Sequence, residues 1–167
     1  MTRFLALDFE TADQGRDSAC AVGLVRVENG REVDAASFLI RPPRRRFIFT
    51  HIHGITWNDV RDEPTFDRLW PRIRRFFRGV DFVAAHNAAF DRSVLEATAD
   101  GNGVRVPRLT FVCSMAVARR TWGIFPTRLQ DVCDRLGIKL RHHDALSDAR
   151  ACAKIICRAL RAGAWIS

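Results

Sequence analysis

The chain has 167 residues, a length that suits one folded core and leaves little room for a second. Its 47% hydrophobic and 28% charged residues exclude a disordered polymer, and 27 basic residues against 19 acidic give a net charge of +8 that favours an anionic partner, nucleic acid before an acidic membrane surface. No apolar run approaches the roughly 20 residues of a membrane span, and Met1 to Glu10 reaches acidic residues too soon for a secretory leader, so a cytoplasmic protein without membrane association is expected.

Arg3 to Phe9 is a short apolar run and the first predicted strand. Ala19–Glu28 and Glu32–Ile40 are further strand-like runs around Asn29-Gly30, a dipeptide that favours a tight hairpin. The chain therefore opens with three strands expected to be antiparallel neighbours. The prolines of Arg41-Pro-Pro-Arg-Arg-Arg46 have no N–H to give a ladder, and an irregular segment is expected from there to Glu63. That arginine run can track the phosphates of an incoming strand or form a solvated loop; its place ahead of His53 favours the first.

Phe66, Leu69, Trp70, Ile73, Phe76 and Phe77 recur at three- and four-residue spacing and predict a helix over Pro64–Arg78, kinked or split by Pro71, with Arg72 to Arg78 on its solvated face. Val80–Ala85 reads as a buried strand, followed by a helix from Ala89 to Thr98 and a turn at Asp100-Gly101-Asn102-Gly103. A strand over Leu109–Cys113 and a helix over Met115–Thr121 come next. A second helix over Thr127–Leu136 is closed by Gly137, and the last covers Ala145–Arg161 with Asp144 as its cap. Strands first, then strands alternating with helices, predict an α/β chain with a central mixed sheet of about five strands flanked by helices. Cys20, Cys113, Cys133, Cys152 and Cys157 are odd in number and form no Cys-x-x-Cys pair, which argues against a disulfide framework or a structural zinc site and for reduced, buried thiols.

Three short segments carry candidate chemistry. Asp8 and Glu10 lie two residues apart, so on a strand both side chains point to one face, with Phe4 and Ala6, while Leu5, Leu7 and Phe9 point to the other. Two carboxylates at the end of an apolar strand repel each other, and a divalent cation removes the penalty. A strand that simply ends in solvent has the same spacing, and the pair alone does not separate the two. His86-Asn87-Ala88-Ala89-Phe90-Asp91 follows the buried strand directly and puts Asp91 in the first turn of a helix beside a strand end, where ligand sites of α/β sheets gather; an ordinary first-turn acid would sit there too. His142-His143-Asp144-Ala145-Leu146-Ser147-Asp148 puts Asp148 early in the last helix, with His143 just before it. A histidine there can act as a general base on water, and a solvated pair at a helix start is the alternative, above all for His142.

In this order, Asp8-Phe9-Glu10-Thr11, His86-Asn87-x-x-Phe90-Asp91 and His143-x-x-x-x-Asp148 resemble the three motifs of the DEDDh superfamily of 3′–5′ exonucleases. The likeness is to the epsilon subunit of bacterial DNA polymerase III and to stand-alone exodeoxyribonucleases of that type. It extends to Ile52-His53-Gly54-Ile55-Thr56 and to Leu129-x-x-Val132-Cys133-x-x-Leu136-Gly137-Ile138, and so covers nearly the whole chain. The resemblance implies a ribonuclease-H-like fold with residues 1–167 as a single exonuclease domain. It implies that Asp8, Glu10, Asp91 and Asp148 bind two divalent cations, Mg2+ or Mn2+, and that His143 is the general base. Asp8 would bridge the ions, Glu10 and Asp148 would hold the one that binds the attacking water, and Asp91 would serve the other. The implied reaction is hydrolysis of a single-stranded or frayed DNA 3′ end, releasing nucleoside 5′-monophosphates.

Thr11, His53, Asn87 and Phe90 are the candidates for holding the terminal nucleotide, with a core role for Phe90 as the alternative; Phe9, facing away from Glu10, is not assigned to substrate. Two features depart from the family pattern or narrow it. Cys113-Ser114 stands where many relatives carry Asp-Thr, away from the implied metal ligands, and the absence of tyrosine excludes the sister group that uses a tyrosine in place of the histidine. The chain ends at Ser167, soon after the last motif, which leaves open a self-sufficient enzyme or a trimmed domain, and with it association with a DNA polymerase. Two rival readings stand beside this one: an exoribonuclease of the same superfamily, and a nucleic-acid-binding module without activity, which would have no need of the histidine. No apolar stripe demands a dimer, and the oligomeric state is open.

Overall fold

The structure is a computed structural model that describes residues 2–164. Strands β1 (Arg3–Thr11), β2 (Ala19–Glu28) and β3 (Arg31–Leu39) form an antiparallel meander. Glu28 pairs with Arg31, so Asn29-Gly30 is a two-residue loop, and both residues take positive φ (52° and 74°), the backbone a tight hairpin of twisted strands requires. β4 (Phe82–Ala85) lies parallel to β1, and β5 (Phe111–Cys113) lies parallel to β4, giving a five-stranded sheet in the order β3-β2-β1-β4-β5. The expected mixed sheet is thus present, with β1 at its centre.

Each face of β1 faces a different layer. Leu5, Leu7 and Phe9 join the core under helix α3 (Phe66–Ile73), the 3₁₀ turn Arg74–Phe77 and helix α4 (Ala88–Gly101). Phe4 and Ala6 point the other way, into the core with Ala149, Cys152 and Ile156 of the last helix, Ala145–Arg161. Between β3 and that last helix the chain also forms α1 (Thr50–His53), α2 (Trp57–Val60), α5 (Ser114–Trp122) and α6 (Leu129–Leu136), which makes the last helix α7. α5 and α6 pack on α7 through Ala118, Val132, Ala151 and Ile155. Asp8 and Glu10 continue the α7 face of β1.

Gly23 decides how close α7 comes to the sheet. It pairs with Asp8 across the β1–β2 ladder, and a Cβ at this position would overlap the carbonyl of Ala145. Without a side chain there, the first turn of α7 rests on β2 next to Asp8, which brings Asp148 within reach of β1. The Asp144 side chain caps this end by accepting from Ser147 N at 2.9 Å.

Several elements differ from the sequence expectation for identifiable reasons. β1 runs on to Thr11, because β2 continues to pair with it, with a register shift between Glu10 and Thr11. The segment up to Glu63 contains α1 and α2; the latter starts with a capping box in which Thr56 N donates to Asp59 Oδ2 at 2.7 Å. α3 passes through Pro71 and tightens into the 3₁₀ turn only after Ile73. α4 does not stop at Thr98 but runs to Gly101, where the Asn102 side chain donates to the Thr98 carbonyl at 2.8 Å. The arginines of Arg72–Arg78 are not simply solvated: Arg72 lies over the Phe38 ring at 4.7 Å and Arg75 pairs with Asp34 at 3.4 Å, so they fasten this helical segment to β3. The Arg41–Arg46 run is likewise engaged within the protein. Arg44 binds Asp13 at 3.0 Å and Asp17 at 2.7 Å, Arg45 covers the Trp57 ring at 5.5 Å, and Arg41 donates to the Arg61 carbonyl at 3.4 Å.

Gly23→Ala is expected to destabilise the protein by about 3 kcal/mol or more, the upper range for overpacking, because its new methyl meets backbone that cannot rotate away. Denaturant unfolding measures this, and a loss near zero would mean that α7 does not rest on Gly23.

Candidate active site

The last turn of β1, the first turn of α7 and the first turn of α4 meet at one end of the sheet. Asp8, Glu10 and Asp148 each present a carboxylate oxygen there, and these oxygens all lie within 4.8 Å of one another. The β1–β4 ladder ends at Ala6–Ala84, so the N–H of Phe9 lies beyond it; Asp91 takes that N–H at 3.0 Å through Oδ1 and is thereby drawn to the carboxylate cluster. The four acids the sequence singles out therefore come from three backbone segments, with Asp8 and Glu10 on one face of β1, Asp91 on α4 and Asp148 on α7.

Each of these carboxyls is held above its ordinary pKa. Burial is the largest cause for Asp8, followed by the charges of Asp91, Glu10 and Asp148. Burial and then the Asp148 charge push Glu10 up to about 7, and burial pushes Asp91 up to about 8 against the opposing hydrogen bond from Phe9. Asp148 is also raised by burial. Its Oδ2 accepts from His143 N at 3.2 Å and lies 3.2 Å from His142 Nδ1, while its Oδ1 is buried and has no hydrogen-bond partner among the described residues. A buried carboxylate oxygen without a donor is costly unless a cation or a proton fills the gap. Clustered hard oxygen donors fit a divalent cation, with Asp8, Glu10 and Asp148 as the converging set.

Asp8, Glu10 and Asp148 line a cleft of about 380 Å³ whose walls include His86, Asn87, Met115, Arg128, His142 and His143. His143 is exposed with φ 64°, and its ring stacks on that of His142 at 3.8 Å. Burial, then the neighbouring His142 and His53, hold the His143 ring below its ordinary pKa. Asn87 also has positive φ (78°) and turns the chain from β4 into α4 at the cleft wall.

Thr11, His53 and Phe90 are not among the residues that line this cleft. Thr11 is buried, and its carbonyl accepts from His53 Nε2 at 3.1 Å; the other ring nitrogen of His53 accepts from Ile55 N at 3.0 Å. These bonds fix the His53 ring against the backbone, close enough to His143 for its charge to act on that ring. Phe90 packs against the core with the Arg16 guanidinium over its ring at 4.4 Å, which fits the core role rather than stacking on a nucleotide.

His86, Met115, Arg128 and His142 were not assigned roles from sequence. His86 bridges Ser114 Oγ at 2.8 Å and the Thr127 carbonyl at 2.9 Å, and burial lowers its pKa to about 4, so it is a neutral bridge between α5 and the segment that carries Arg128. Its place at the end of a buried strand was a usable signal. Met115 and Arg128 reach the cleft only through tertiary packing. The doubled histidine before Asp148 was visible, but which ring contacts the carboxylate was not.

A family model described as Exonuclease (RNase_T) matches residues 5–156. The chain is 31% identical over 162 residues to the PolC-type DNA polymerase III of Thermotoga petrophila, covering 93% of this chain and 12% of that protein. It is 30% identical over 155 residues to Exodeoxyribonuclease 10 of Escherichia coli K12, covering 86% of this chain and 63% of the relative. The chain thus spans a small part of the polymerase relative and under two thirds of the exodeoxyribonuclease. Among solved structures it is similar to Exonuclease X in complex with 5′ overhanging duplex DNA, with a TM-score of 0.77 and 25% identity over 99% of this chain and 94% of that one. The nuclease domain of 3′hExo, a DEDDh family member bound to rAMP, superposes with a TM-score of 0.82 at 17% identity over 99% of this chain and 96% of that one, and supports the ribonuclease-H-like fold alone.

The raised carboxyls set a pH dependence for the metal-free protein. Glu10 and Asp91 titrate at about 7 and about 8 in the folded state, against about 4 in the unfolded chain. Between those values the folded state binds more protons, so stability is fullest below about pH 4 from these groups and falls as pH rises through 7 and 8. Thermal melts in EDTA are expected to show Tm decreasing from pH 5 to pH 8, with Mn2+ raising Tm most at pH 8, since a cation bound only by the folded state stabilises it by mass action. A Tm indifferent to both would mean that the carboxylates are not pressed together.

Proposed function

The chain belongs to the exonuclease family, of the DEDDh type, and we propose that it is a metal-dependent 3′–5′ exonuclease that hydrolyses DNA from a 3′ end and releases nucleoside 5′-monophosphates. The observation that supports this most directly is the partnerless Asp148 Oδ1 inside a cluster with Asp8 and Glu10, a donor set built for cations rather than for internal hydrogen bonds. DNA is the preferred substrate class because the matched relatives include an exodeoxyribonuclease and an exonuclease bound to DNA.

Two divalent cations held by Asp8, Glu10, Asp91 and Asp148 would, when bound, polarise the scissile phosphodiester and acidify the attacking water. The chain's own residues do the rest. His143 is the general base: its lowered pKa keeps the ring neutral near pH 7, with a nitrogen lone pair ready for the proton of the water. Its backbone N–H is tied to Asp148 Oδ2, so the carboxylate and the base move as one unit. His142 stacks on the other side of that unit and positions it. Asn87 and Arg128, on the cleft walls, are placed to hold the terminal nucleotide and its phosphate, and the 3′ oxygen of the penultimate nucleotide leaves.

Asp8→Asn and Asp148→Asn are expected to abolish hydrolysis of an end-labelled oligonucleotide while circular dichroism stays unchanged. His143→Ala is expected to lower kcat by about 10² to 10⁴, with His142→Ala costing less. An unchanged rate in His143→Ala would move the base elsewhere. EDTA is expected to silence the enzyme, and Mg2+ or Mn2+ to restore it. Matched DNA and RNA oligonucleotides digested side by side test the substrate class: faster removal of ribonucleotides would replace the DNA assignment by an exoribonuclease.

A further inference from the structure

Lys139 and Lys154 are the only lysines in the chain, and the fold brings them to one groove. The groove, of about 460 Å³, lies between the segment that leads into α7 and the outer face of α7, and Arg141, Arg150, Asp144 and Ser147 complete its walls. We propose that this groove binds the phosphate backbone of a nucleic-acid strand outside the catalytic cleft. The choice of nucleic acid rests on the nuclease reading; the choice of a polyanion rests on the groove itself.

Its acids are already committed. Asp144 caps α7 through Ser147 N at 2.9 Å, and Glu32 of β3 takes Arg150 at 2.9 Å. Both ammonium groups are exposed and, among the described residues, make no ion pair or hydrogen bond. Cations that hold the protein together elsewhere, such as Arg44 on Asp13 and Asp17, have no charge to spare; these two do. The basic surface continues along α7 into an adjoining groove with Arg158 and Arg161, whose guanidiniums donate to the carbonyls of Leu136 and Gly30 and, among the described residues, form no ion pair. Lys154 and Arg158 follow at a four-residue step, two cations about 6 Å apart along the helix beyond the Glu32-bound Arg150. A row of charges fits a chain of phosphates better than a single one.

The groove adjoins the cleft. His142 and His143 line the cleft, while Arg141, directly before them, lines the groove and donates its N–H to Ser147 Oγ at 2.8 Å. Lysine is a point charge on a flexible stem and reads no base, so contacts here add affinity without sequence preference.

Because the chain has two lysines, acylation of wild-type protein by an amine-reactive ester, read by mass spectrometry, reports on this groove residue by residue. In EDTA, a single-stranded DNA of about 30 nucleotides is expected to slow labelling of Lys139 and Lys154 several-fold, with protection fading as salt rises. A dinucleotide, long enough only for the cleft, is expected to leave labelling unchanged. Lys139→Gln/Lys154→Gln is expected to weaken binding of the long strand about tenfold and to flatten the logarithmic salt dependence by about 1.4, for two lost single-strand phosphate contacts. Equal protection by the dinucleotide, no protection by the long strand, or unchanged affinity in the double variant would overturn the proposal. Protection by phosphatidylglycerol vesicles and none by DNA would overturn it in favour of a membrane surface. Protection by DNA in a protein that never hydrolyses it would support the groove and sink the nuclease reading.

Discussion

The burial of neighbouring carboxylates is the constraint on which the rest of this structure turns. Burial raises the pKa of Asp8, Glu10, Asp91 and Asp148, and the charges of nearby acids add to it. Left to itself such a cluster would open. It persists because each acid is held from outside: Asp8 and Glu10 by the central strand, Asp91 by the Phe9 N–H, and Asp148 by the packing of α7 on β2 over Gly23. The stability of two hydrophobic layers is thereby used to hold a local arrangement that is unfavourable without cations.

The close approach of α7 ties core packing to the site. Phe4 and Ala6 of β1 face Ala149, Cys152 and Ile156 of α7, and the same helix carries Asp148 one turn from its cap. Small residues on α7 (Ala145, Ala149, Ala151, Ala153 and Ala159 are all buried) let the helix lie near the sheet along its length. A change in this interface would reach the cleft as a displacement of one carboxylate, and where three oxygens converge within 4.8 Å a small displacement alters what they can bind.

Most of this was legible in the sequence, for a physical reason. Alternation along Arg3–Phe9 fixes which residues of β1 share a face, so the pairing of Asp8 with Glu10 followed from local geometry. The hairpin at Asn29-Gly30 and the cap at Asp144 are local too, and α7 has the same bounds in the structure as in the sequence reading. The parts that local sequence left open depended on partners distant in sequence. Nothing near Phe90 announces that Arg16 covers its ring, and nothing near Thr11 announces that His53 binds its carbonyl. Within Arg41–Arg46, Arg44 looked available for phosphates because its acidic partners, Asp13 and Asp17, lie in a loop about thirty residues earlier.

The distribution of charge reconciles a basic protein with an acidic cleft. A surplus of +8 says little about where a polyanion lands, because arginines such as Arg26, Arg44 and Arg75 are engaged by acids or carbonyls of the protein itself. A phosphate chain is repelled by four close carboxylates until cations reverse the local sign, so its early attraction must come from cations placed beside the cleft and not already neutralised. The outer face of α7 and the segment before it meet that condition, and they share their backbone with the loop that carries the histidines. The helix that carries Asp148 at the cleft on one side therefore presents unpaired positive charge on the other, which on the proposed reading would make attraction and hydrolysis properties of a single element.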